Sequence, residues 1–274
     1  MSFRRLALAS AACAVACGRA APRAAGPSLI TITATDYAFG VPDTLPAGLT
    51  TFRLVNQGKE LHHANLVRLG EGKTVADFQA GLAAAMKNST PPPPWMGFAG
   101  GPNAVTLGDT GVATQMLEPG SYVFVCWIPS LDGVPHVMKG MLHPLLVTPG
   151  ARAPAAAEPA TDLTIKLTDY DFQLSQPLTA GKHVVRVENT GAQAHEIVIA
   201  ALSAGKTLQD FIAWEAGGEK GPLPTGDTTL DVGGHSQFAA TFAPGSYLLL
   251  CFWPDAKDGK PHIMHGMAKQ ITVS

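Results

Sequence analysis

The run Phe124–Met141, FVCWIPSLDGVPHVMKGM, sets Cys126, His136 and Met141 close together. Leu249–Met267, LLCFWPDAKDGKPHIMHGM, repeats the order with Cys251, His262 and Met267. Nine residues separate Cys from His in the first run and ten in the second, and four separate His from Met in both. Thiolate and thioether are soft donors that suit copper in both oxidation states, and imidazole suits either state. Two His and a Cys in a plane with a weak axial Met is an electron-transfer copper arrangement. One loop then supplies three donors, and the fourth must come from a neighbouring strand. His62 and His195 are the candidates. His63 is adjacent to His62 and is an alternative ligand, but the overlay of the two halves favours His62. Zinc in a Cys/His/His site leaves the Met without a role.

The elements that must position these donors are written twice. TDYAF (35–39) recurs as TDYDF (168–172), and NQGKELHHANLVRLGEGKTVADF (56–78) lies without a gap over NTGAQAHEIVIAALSAGKTLQDF (189–211), at an offset of 133. EPGSYVFVC (118–126) lies over APGSYLLLC (243–251) at an offset of 125, so the first copy holds eight extra residues around STPPPPWMGFAGG (89–101). A repeat of this length predicts duplicated domains. PGARAPAAAEPAT (149–161) reads as the linker. The division is a signal at 1–16, a tether at 17–28, domains at 29–148 and 162–274, and the linker between.

Within each copy, Leu163, Ile165 and Leu167 alternate with polar neighbours, as do Phe52 and Leu54. Tyr122, Phe124 and Cys126 share one strand face, and so do Tyr247, Leu249 and Cys251. Thr74 with Asp77, and Thr207 with Asp210, read as capping boxes opening a helix of two to three turns. Seven or so strands and one helix per copy predict an all-β chain of two β-sandwiches. The chain holds 29 Gly and 22 Pro, which fits that class. Charged residues make up 15% and the net charge is −2, which gives no basic field for nucleic acid.

Arg4 and Arg5 precede an apolar run, Leu6–Ala16, that is too short to span a bilayer. Cys17 follows Val15 and Ala16 in the pattern of a bacterial lipoprotein signal, although Ala14 stands where Leu is commoner. Cys13 is the weaker lipidation candidate, and a plain secretory signal cut near Ala21 is the alternative. This places the chain outside the cytoplasm, anchored to a membrane through lipid on Cys17. Cys126 and Cys251 are then left in a compartment that permits disulfides, and metal ligation accounts for two unpaired thiols there.

Both halves resemble the cupredoxins, the blue copper domains, in GSY-x3-C-x9-H-x4-M at 120–141 and its longer form at 245–267. The resemblance implies a Greek-key sandwich and one type 1 copper site per domain, two per chain. The ligands it implies are His62, Cys126, His136 and Met141, then His195, Cys251, His262 and Met267. It also implies electron exit to solvent through His136 and His262, toward an unidentified redox partner. Where many cupredoxins have Asn after the first His, this chain has His63 and Glu196. Where many have Ser or Thr after the Cys, it has Trp127 and Phe252. Those departures bear on hydrogen bonding at the sulfur. Trp127, Phe252 and Trp253 read as apolar cover for the metal or as a docking patch, and Met138 and Met264 as packing. His63, His143, His183, His235 and His265 read as surface residues. Nitrite reductases and multicopper oxidases need histidines flanking the Cys, and Val125, Trp127, Leu250 and Phe252 stand there instead. The expectation is a carrier and not an enzyme, with copper handling or storage, or a metal-free interaction module, as alternatives.

Overall fold

The computed structural model describes residues 26–88, 90–150, 156–211 and 224–274. The signal, Cys13, Cys17 and most of the tether lie outside the described residues, as does the middle of the linker. The first half runs β1 (Ser28–Thr35), β2 (Ala38–Gly40), β3 (Thr44–Pro46), β4 (Gly48–Asn56), β5 (Asn65–Leu69), α1 (Val75–Asn88), β6 (Met96–Phe98), β7 (Thr110–Leu117), β8 (Gly120–Val125) and β9 (Leu142–Thr148). The second runs β10 (Leu163–Thr168), β11 (Asp171–Leu174), β12 (Gly181–Asn189), β13 (His195–Ala201), β14 (Pro224–Leu230), β15 (His235–Phe242), β16 (Gly245–Leu250) and β17 (Ala268–Val273). The described strands number nine and eight, more than expected, because short edge strands such as β2 and β3 carry no alternation long enough to read.

Each half is a Greek-key sandwich of two sheets. In the first, β2-β1-β4-β7 faces β3-β9-β8-β5-β6; in the second, β11-β10-β12-β15 faces β14-β13-β16-β17. β1 lies parallel beside β4, and β10 parallel beside β12, although other strands intervene in sequence. The sandwich core of the first half holds Ile32, Phe52, Leu54, Leu66, Phe124, Cys126 and Met141. β8 reads as a continuous apolar run because both its faces are covered. Phe124 points into the sandwich, while Val123 and Val125 pack with Phe78 and Leu82 of α1. β16 does the same: Leu249 faces its sandwich, and Leu248 and Leu250 meet Phe211.

The capping box is formed. Thr74 N–H donates to Asp77 Oδ2 at 2.9 Å and Asp77 N–H donates to Thr74 Oγ1 at 3.1 Å. Helix α1 runs 14 residues, about four turns rather than two to three, because the alanine-rich stretch after the cap contains no proline and its one glycine, Gly81, is packed against Trp95 and Met96.

The two halves join along a shared sheet. β7 and β15 pair through Thr114 and Gln237, which merges one sheet of each half into a single eight-stranded sheet. After β6 the chain pairs with β14, through Ala99 with Leu230 and Pro102 with Asp227. Gly100 N–H donates to Thr229 O at 2.9 Å and Thr228 N–H to Gly101 O at 3.0 Å. Part of the eight-residue surplus of the first copy is thus spent on this seam.

Candidate metal centres

Each Cys sits one residue past the end of a central strand, β8 or β16, and a closed loop follows it. His136 N–H donates to Ile128 O at 2.9 Å, Val137 N–H to Cys126 O at 2.8 Å, and Met141 N–H to His136 O at 2.9 Å. The second loop repeats this through His262 to Trp253 O, Ile263 to Cys251 O, and Met267 to His262 O. Pro129 bridges Pro135, and Pro254 bridges Pro261, so the extra residue of the second loop lies beyond the neck and leaves the donors in place. Gly140 and Gly266, at φ 96° and 92°, supply the left-handed turn that brings each Met back beside its Cys.

The donors converge. His62 Nδ1 lies 3.1 Å from His136 Nδ1, and Cys126 Sγ lies 3.4 Å from His136 Nδ1. In the second half, His195 Nδ1 is 3.0 Å from His262 Nδ1, and Cys251 Sγ is 3.3 Å from His262 Nδ1 and 4.0 Å from His195 Nδ1. All six of these side chains are fully buried, as are Met141 and Met267, which share the core clusters of Cys126 and Cys251. His63 turns away from the group, and its Nε2 accepts the Trp127 backbone N–H at 2.8 Å.

The outer nitrogens explain the inner ones. His62 Nε2 meets Asp36 Oδ1 at 3.0 Å, His136 Nε2 meets Glu60 Oε2 at 2.9 Å, and His195 Nε2 meets Asp169 Oδ1 at 2.9 Å. A carboxylate at Nε2 draws the ring proton there and turns the Nδ1 lone pair inward. In the first half two lone pairs and a sulfur then face one another across about the span of a metal's coordination shell. Such a cage is repulsive when empty and fits a cation. Burial also holds the His62 and His195 imidazoles below their usual pKa, and brings His262 down to about 4, so they are neutral and ready to ligate at pH 7. Burial pushes the Cys126 thiol up to about 12, against backbone N–H groups of His63 and Ile128 that pull it down. The Cys251 thiol is raised for the same reason. A bound cation is what would make these thiols thiolates.

The carboxylates were not legible as site residues, though the repeat marks them. Asp36 and Asp169 are the Asp of the two TDY stretches. Gly58 and Gly191 belong with them. A Cβ on Gly58 would fall 2.5 Å from both Asp36 Oδ1 and His62 Nε2, and one on Gly191 would fall 2.6 Å from Asp169 Oδ1. Asn56 and Asn189 hold each turn, accepting the N–H of that glycine and donating to the carbonyls of Glu60 and Gln193.

Several expectations need correction. His136 and His262 are fully buried and present no edge to solvent. Tyr37 covers His136 edge-on at 5.2 Å between ring centroids, and Tyr170 covers His262 at 5.6 Å. Both tyrosines hold a left-handed backbone, φ 70° and 66°, rare for a bulky residue and found here at matching positions. His63 is buried and not a surface residue. Met138 and Met264 are 44% and 69% exposed, not packed. Trp127 packs with α1 and β6, away from the metal cage. The hydrogen bonds left open by the departures at 63, 127, 196 and 252 are made: His63 holds Trp127 N–H, and Glu196 Oε1 accepts Phe252 N–H at 3.0 Å.

Sheet order and the paired His/Cys/His cages decide the class. Each half is a cupredoxin-like sandwich. No family model matches the sequence, and no curated protein does. Among solved structures, the chain is similar to reduced auracyanin from the photosynthetic bacterium Roseiflexus castenholzii, at 23% identity over 46% of this chain and 100% of that one, TM-score 0.33. It is similar to auracyanin B at 25% identity over 46% and 93%, TM-score 0.31. It is also similar to a multicopper oxidase at 13% identity over 92% and 93%, TM-score 0.25. Likeness at these scores carries no weight beside the sheet order and the cupredoxin-like cages themselves.

Proposed function

We propose that the protein binds two copper ions, one per cupredoxin-like half, and carries single electrons. The observation that carries this is the convergence, twice, of two Nδ1 atoms and one Sγ in a buried cage with a Met from the same loop. Copper supplies a one-electron couple there. His62, Cys126, His136 and Met141 would hold one ion, and His195, Cys251, His262 and Met267 the other. The protein's part is rigidity: the loop is closed by its own backbone bonds, and carboxylates fix the imidazoles, so the donors keep their places when the charge changes.

Loading with Cu(II) should give two coppers per chain and a strong visible charge-transfer band. Cys126→Ser should remove one copper and part of the band. A colourless protein under oxidising conditions would sink the reading. The burial of both loop histidines favours a second reading, copper handling without a redox partner. Reversible cycling at a measurable potential separates the two. An oxidase reading lacks histidines beside either Cys. Its remaining candidates are engaged: His143 with Asp43 at 3.0 Å, His265 with Asp258 at 3.1 Å, and His63 as above. Lipid on Cys17 is part of the proposal, with the partner met outside the cytoplasm. Among the described residues no helix is long and apolar enough to cross a membrane.

A further inference from the structure

The rings that follow the two cysteines meet. Trp127, next to Cys126, lies edge-on to Trp253, two residues past Cys251, with ring centroids 6.1 Å apart and planes at 75°. Phe98 fills the angle between them, 4.5 Å from Trp253 and 6.4 Å from Trp127. Duplication does not explain the contact. The counterpart of Trp127 is Phe252 and that of Trp253 is Ile128, so the meeting joins non-equivalent positions.

Each ring is tied to its own cage. Trp127 is one peptide bond from Cys126, and His63, beside His62, holds its N–H. Trp253 packs against the core cluster that holds Cys251, and its carbonyl accepts His262 N–H at 2.9 Å. The Trp127 ring is also locked to the opposite half. Its Nε1 donates to Asn65 Oδ1 at 2.8 Å, and Asn65 Nδ2 donates to Thr228 Oγ1 at 2.9 Å.

We propose that Trp127 and Trp253 form an electronic bridge between the two centres, so that an electron accepted in one half passes to the other within the same chain. This rests on the copper reading above. One electron leaves the reduced centre and enters the oxidised one; no bond is made or broken and no proton or third reactant is required. Two π systems in contact, each joined to its sulfur by one or two residues of chain, shorten the gap that saturated chain would otherwise fill.

Two readouts test it. In the metal-free protein, the ring contact should give a coupled near-ultraviolet circular dichroism signal that Trp127→Phe and Trp253→Leu each abolish. In the two-copper protein, pulse radiolysis at less than one electron per chain should show a redistribution phase independent of protein concentration and missing from one-copper Cys126→Ser. Trp253→Leu should keep both coppers and slow that phase by an order of magnitude or more. Trp253→Phe, which preserves more of the packing, should slow it less. Absence of the coupled signal or of the phase in the unsubstituted protein overturns the bridge, as does an unchanged rate in both Trp253 variants. A chain that takes up no copper overturns the copper reading, and the bridge with it; two bound coppers without the phase overturn the bridge alone.

Discussion

Glu60, from the turn after β4, and Asp255, from the ligand loop itself, each set a carboxylate near Nε2 of the loop histidine of their own half. In the first half Tyr37 donates to Glu60 Oε1 at 2.8 Å, and its hydroxyl meets Ser130 Oγ at 3.1 Å. In the second, Tyr170 donates to Asp255, and Gln193 and Asp255 stand where Glu60 and Ser130 stood. Burial pushes the Glu60 carboxyl up, but hydrogen bonds from Tyr37, His136 and Ser130 outweigh it and hold it low. Asp255, gripped by the Tyr170 hydroxyl, is held far lower. The swap is unequal: Glu60 Oε2 reaches His136 Nε2 at 2.9 Å, whereas Asp255 stays 3.7 Å from His262 Nε2. His136 is therefore the more electron-rich ligand. Glu60→Gln should raise the first centre's potential and weaken Cu(II) binding there by roughly 10–100-fold. A redox titration showing both centres unmoved would refute this. Gly58→Ala should also act only on the first centre, because its Cβ parts Asp36 from His62; competitive copper titration against Gly191→Ala reads the two sites separately.

At the scale of elements, the ligand loop and the strand before it work as one unit. Backbone bonds from residues 136, 137 and 141 return to 126, 128 and 136, so the loop is organised before any ion arrives. α1 supports that strand from behind, through Phe78 and Leu82 on Val123 and Val125. Thr74→Ala removes the cap and should cost about 1 kcal/mol in denaturant unfolding. Copper stoichiometry should stay at the unsubstituted value, since the helix touches the β8 face opposite the cage; a lost copper would show that the helix positions the site directly. The capping box, the apolar runs and the C-x-H-x-M spacings were all legible, being local patterns. The tyrosine lids were not, because a left-handed Tyr37 is dictated by its fit over His136, a residue about a hundred positions away.

Across the whole molecule the seam between halves is polar and buried. Asp227 is fully buried there; its Oδ1 accepts Gly101 N–H at 2.9 Å and its Oδ2 finds no partner. Burial raises its pKa to about 8, against backbone N–H groups of Gly101 and Thr228 that lower it. Between its unfolded value near 4 and about 8, the unfolded chain has lost this proton while the folded chain keeps it. Stability should therefore fall as pH rises through that window, by up to about 1.4 kcal/mol per pH unit from this group. Asp227→Asn should flatten the dependence, as chemical unfolding at pH 5 and pH 8 would show; an equal slope in the variant would mean the carboxyl is already ionised. The merged sheet also predicts one cooperative unfolding transition by calorimetry, and two resolved transitions would contradict it.

The sequence by itself determined the duplication, the all-β class and a donor set that points to copper. Each of these is written in residues close along the chain, at spacings a single strand and loop can satisfy. Tertiary structure decided what the donors meet. Asp36 reaches His62 across 26 residues, Glu60 reaches His136 across 76, and Asn65 reaches Thr228 across 163. The first two pairings are chosen by how the loops and sheets of one sandwich close on each other, the third by how the two sandwiches meet, and no local period records them. Tyr37 and Tyr170, each within its own half, buried the loop histidines expected at the surface, and packing of the halves brought Trp127 against Trp253, because closing the seam covered apolar rings that either half alone would leave in water.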